Sequence, residues 1–85
     1  MNEFRKSRII HNRRAARRLY AILEEKRWTQ DTLARRTGIP RSVISAHFSG
    51  ERRITVRHMS AYLKVFNDER RLLFDAWLED NFNNI

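Results

Sequence analysis

The tripeptide Gly38-Ile39-Pro40 constrains this chain more than any other feature. It holds one of the two glycines and the single proline of the sequence, and helical patterning runs up to it and away from it. Gly38 takes a left-handed conformation most cheaply and so ends a helix. Pro40 presets φ for the first turn of the next one. Two short helices are therefore joined by a tight turn that sets them roughly perpendicular. With two Gly and one Pro in 85 residues there are few sharp turns and no flexible linker, which predicts one compact all-α domain over residues 1–85.

Periodicity places three further helices. From Asn12 to Arg27, Ala16, Leu19, Tyr20 and Leu23 recur at helical spacing with Ile22 at one side, while Arg13/Arg17 and Arg14/Arg18 form a basic face. Thr29 is a hydroxyl N-cap for the helix before Gly38, with Asp31 favoured in its first turn by the helix dipole and Leu33 and Ala34 inside. After Pro40, Ile44 and Phe48 share an inward face and Gly50 closes the helix over residues 40–48. A basic loop, Glu51 to Ile54, leads to Thr55 as N-cap of a fourth helix with Val56, Met59, Tyr62, Leu63 and Phe66 inward. Asn67 or Asp68 opens a fifth, over 68–82, whose Leu72, Leu73, Phe74, Ala76, Trp77, Leu78 and Phe82 wrap more of its circumference than packing on a small core requires.

Charge is unevenly distributed. The net +8 divides into +6 over residues 1–27, +3 over 28–53 and −1 over 54–85, so the basic surplus and the apolar tail lie at different ends. This predicts a polyanionic partner for the first two thirds. The absence of Cys removes disulfides, Cys-ligated zinc and thiol nucleophiles. No run of 18 uncharged residues could span a membrane, and Met1 to Ile10 lacks a signal-peptide core, so a cytoplasmic, nucleoid-associated protein is expected.

The order of residues from Trp28 to Phe66 is more specific. Thr29-Gln30-Asp31-Thr32-Leu33-Ala34, then Thr37 to Ser45, then Phe48-Ser49-Gly50, then the capped helix Thr55 to Phe66 resembles the Cro and phage-repressor-like (xenobiotic-response-element type) helix-turn-helix regulators, over about 39 of 85 residues. The resemblance implies a five-helix lambda-repressor-like fold with the helix-turn-helix at 29–50, binding double-stranded DNA through helix 40–48 in the major groove. It makes Arg41, Ser42 and Ala46 base-reading positions, with Ser45 close by. Arg41 alone can make a bidentate contact to guanine, and Ala46 offers a methyl group to thymine. Gln30, at a helix start where free N–H groups also face outward, would clamp a phosphate. Ser49 stands where many relatives have Asn and would make a similar contact with shorter reach, and Arg52 and Arg53 would add charge along the backbone.

The remaining features qualify this reading. His47 is either a half-buried histidine bonded to a neighbour or a phosphate donor. His11, His47 and His58 lack metal-ligand spacing, Asp75 and Glu79 at i, i+4 read as a solvated acidic face, and no nucleophile, phosphate loop or paired carboxylate suggests an enzyme; no cofactor or small-molecule substrate is expected. Arg5, Lys6 and Arg8, in an arm over residues 1–11, suit an AT-rich minor groove. An arginine-rich helix from Arg5 to Arg18 that binds RNA is the alternative. The excess apolar surface of the last helix predicts a homodimer with Trp77 or Phe74 as anchor and Leu78 beside them, which would bind a palindromic operator as a phage-type or bacterial repressor.

Overall fold

The computed structural model describes residues 9–83 and contains five helices: α1 (Arg13–Lys26), α2 (Gln30–Thr37), α3 (Arg41–Ser49), α4 (Val56–Val65) and α5 (Arg70–Asn83). No strand occurs among the described residues. Four helix ends are set by the residues expected to set them, whereas α5 begins at Arg70, after a turn over 67–69, and not directly behind Asn67 or Asp68. Thr29 Oγ1 accepts from the Thr32 N–H at 3.2 Å and Thr55 Oγ1 from the His58 N–H at 3.3 Å. Gly38 and Gly50 follow α2 and α3 at φ +79° and +82°. Arg27 ends α1 in the same left-handed region, φ 60°, with no glycine to signal it.

The core is one cluster centred on Leu19, Leu33, Ile44, Met59, Tyr62, Phe66, Leu73 and Trp77. The pair α1 and α5 packs most extensively, and α3 leans on both α1 and α2. Lying between α5 and α3, α1 buries Ala16, Leu19 and Leu23 as its periodicity suggested, together with Ala15 and Ile22, but Tyr20, expected on the same face, is 58% exposed. Val56, the first residue of α4, is 71% exposed and lies outside the core. Ala34, Phe48 and Leu63 are half-buried and pack on its edge.

Two polar locks tie the ends of the chain together. Asn12, at φ 50°, turns its side chain away from its own helix, and Oδ1 accepts from the Ile54 N–H at 2.8 Å. The start of α1 is capped instead from α5: the buried Asp80 carboxylate accepts from the N–H groups of Arg14 (3.1 Å) and Ala15 (2.9 Å). Trp77 completes the arrangement by donating its indole N–H to the Ile54 carbonyl at 2.9 Å. Trp77 therefore belongs to the interior of the monomer, a correction to its expected place as the anchor between two copies. The first described residues pack on the end of α3. The His11 N–H donates to the Gly50 carbonyl at 2.9 Å, and Ile10 occupies the space a Cβ on Gly50 would need.

Candidate nucleic-acid interface

Two short helices, each stopped by a left-handed glycine, bring the starts of α2 and α3 together. Gln30 and Arg41 are the first residues of these helices. Gln30 Oε1 accepts from Ser45 Oγ at 2.7 Å and from Arg41 Nε at 3.4 Å. Because the guanidinium can only donate, the atom facing it is the amide oxygen, and both Nε2–H donors of Gln30 are without a partner among the described residues. The Asp31 carboxylate accepts from Arg41 Nη1 at 3.1 Å, an ion pair exposed on both sides. Four side chains thus form one connected group at the mouth of the turn.

Along α3 the inward residues are Ile44 and His47, both fully buried, with Phe48 at the margin. This turns Ser42, Ser45, Ala46 and Ser49 to the opposite side. Their small side chains let the helix backbone approach a groove closely, and Arg41 is the long donor at the leading end. Ser42 and Arg41 are exposed, while Ser45 and Ala46 are half-buried. Ser45 is already engaged with Gln30. Ser49 donates to the Ala46 carbonyl at 3.2 Å and accepts from the Glu51 N–H at 3.3 Å, so its hydroxyl is turned back on its own helix end. Arg52 and Arg53 are exposed beyond Gly50. Arg5, Lys6 and Arg8 lie outside the described residues.

His47 is the histidine bonded to a neighbour, although fully buried where half-burial was expected, and is not available to a phosphate. Its Nδ1 lies 2.7 Å from the Tyr62 hydroxyl, its Nε2 and the Nδ1 of His58 are buried without a partner among the described residues, and the two imidazoles sit edge to face at 5.1 Å. Burial, His58 and Arg52 together lower the His47 pKa to about 4, and burial raises that of Tyr62. No cluster of three or more His, Cys, Asp or Glu that could hold a metal occurs among the described residues.

The pairing of Arg41 with Asp31 and the bond from Ser45 to Gln30 were missed in the sequence. Each joins residues 10 to 15 apart across the turn. The signal that could have found them is the turn itself, which sets the first residues of both helices side by side.

Compared with known families, the chain matches the helix-turn-helix family model over residues 19–70. It belongs to the Cro and phage-repressor-like helix-turn-helix family. No curated protein and no solved structure matches it. Membership makes this helix-turn-helix protein a DNA-binding transcription regulator. The match takes in the helix-turn-helix and leaves out the whole of the arginine-rich stretch 5–18, so it lends no support to an RNA-binding helix there. No helix among the described residues is long and apolar enough to cross a membrane.

Proposed function

We propose that this helix-turn-helix protein is a homodimeric repressor of the phage or bacterial type, binding a palindromic operator with α3 in the major groove. Residues 1–85 act as one DNA-binding unit in which 29–50 read, α5 pairs two copies and the arm adds backbone or minor-groove contacts. The observation that carries the reading is the junction of Gln30 and Arg41: a residue at the phosphate-facing start of α2 directly supports the longest donor on α3. Arg41 reads guanine, Gln30 holds a phosphate through its free Nε2, and Ser42 and Ala46 contact neighbouring base edges. Ser45 acts through Gln30. Arg52 and Arg53 face the DNA backbone beyond the C-terminal end of α3, and Ser49, the last residue of that helix, adds a contact there once its hydroxyl turns from the Ala46 carbonyl. Ile10 and His11 are fastened to Gly50 at that same end.

Selection of bound sequences from a random DNA pool tests this directly, and a palindrome is the expected product. Arg41→Ala should cost about 1–3 kcal/mol at the selected site and erase preference at one base position per half-site. Gln30→Ala should weaken binding to all sequences alike. A folded Arg41→Ala variant with unchanged affinity and preference would overturn the assignment.

A further inference from the structure

We infer that Asp31 is a specificity-determining residue, one that restrains the Arg41 guanidinium so that it serves a guanine and not a phosphate. The inference rests on the proposed reading of bases by Arg41. Of the five guanidinium N–H bonds, Nε–H goes to Gln30 and one on Nη1 goes to Asp31. Three remain, one on Nη1 and two on Nη2. The adjacent pair across the end of the guanidinium is the fork that matches O6 and N7 of guanine.

An unrestrained arginine at the start of a DNA-facing helix has another use for that fork. It can swing to the nearest phosphate, where it binds every sequence equally well. Asp31 opposes this through the ion pair itself: its carboxylate, 3.1 Å from Nη1, fixes the direction of the guanidinium and takes up one of the donors a swing to the phosphate would need. In residues 28–53 the only other acidic side chain is Glu51, at the far end of α3, so this carboxylate stands alone among the cations that would face DNA. In the first turn of α2 it is favoured by the helix dipole but is not the cap, a role Thr29 fills. The side chain is 72% exposed and makes no packing contribution that requires a charge.

The test uses the whole protein and three duplexes: the selected site, the same site with its Arg41-facing guanine replaced, and random DNA. Asp31→Ala and the isosteric Asp31→Asn should both remain folded, since the site is exposed. Each should bind random DNA more tightly and lower the ratio of affinities between the first two duplexes, by roughly tenfold for Asp31→Ala. The slope of log affinity against log salt on random DNA should steepen by about 0.9 as Arg41 gains a phosphate. An unchanged ratio and slope in both variants, with Arg41→Ala flattening the preference, would overturn the role of Asp31 alone. Should Arg41→Ala leave the preference intact, the reading of bases by Arg41 falls, and this inference falls with it.

Discussion

His47 is the residue whose character departs most from its neighbourhood, a fully buried imidazole on the helix proposed to read DNA. The spacing of Ile44 and Phe48 suggested an inward face centred between them, which left position 47 at its margin. The actual face is centred between Ile44 and His47, because Tyr62 on α4 offers its hydroxyl to the imidazole at 2.7 Å. Nothing local to residues 40–50 encodes that partner. The consequence is acid sensitivity. Folded, His47 takes a proton only near pH 4, whereas an unfolded chain takes it near 6.5. Stability is therefore complete above about pH 6.5 and declines as pH falls towards 4, by an amount approaching about 3 kcal/mol. Urea unfolding at pH 7.5 and 4.5 should show this decline, and His47→Phe should remove most of it. An equal decline in the variant would place the sensitivity elsewhere.

At the scale of elements, what could be read from the sequence was what short-range chemistry determines. Thr29, Thr55, Gly38 and Gly50 mark helix ends through bonds to residues three or four away, and all four are found in those roles. The exposure of Tyr20, beside the buried Ala16, Leu19 and Leu23, departs from expectation for the opposite reason, the docking of α1. Two neighbours cover it, so Ile22 is buried and Tyr20 is exposed, and periodicity within one helix cannot distinguish a single contact face from two. The same limit concealed Asp80, which stands near Asp75 and Glu79 in sequence yet caps a helix 65 residues away. Replacing this buried carboxylate leaves two N–H groups at the start of α1 without an acceptor. Asp80→Ala should accordingly destabilise the fold by about 2–3 kcal/mol, measured by thermal or urea unfolding. Asp80→Asn, which keeps one acceptor oxygen, should lose less, while Glu79→Ala on the exposed side should change stability by no more than about 0.5 kcal/mol. Equal effects of Asp80→Ala and Glu79→Ala would show that the cap is not what holds α1 to α5.

At the scale of the whole molecule, the question is what covers α5. The count of its apolar residues was legible, but their division between the interior and the outside depends on the docking of α5 against α1 and the loop at Ile54. Trp77 and Leu73 go inside. Leu72, Phe74 and Phe82 remain 53%, 38% and 67% exposed, and Leu78 is half-buried. The outward side also carries Arg71 near its start and Asp75 and Glu79 further on. Two such helices packed antiparallel about a two-fold axis bring the basic start of each towards the acidic middle of the other, which is the self-complementarity an isologous contact needs. A molecule measuring 40 × 26 × 23 Å, paired side by side, can also set equivalent α3 helices near the 34–36 Å spacing of one DNA turn. The burial of Trp77 now separates two outcomes that the sequence alone could not. Phe74→Ser, which removes a partly exposed ring stacked on Trp77, should leave the helical content intact, shift sedimentation from dimer to monomer and weaken binding to a palindromic site far more than to a half-site. Trp77→Ser should instead unfold the protein, since it removes a core ring and the bond to the Ile54 carbonyl. A parent protein that sediments as a monomer at tens of micromolar would refute the dimer, and the apolar face of α5 would then await a different partner.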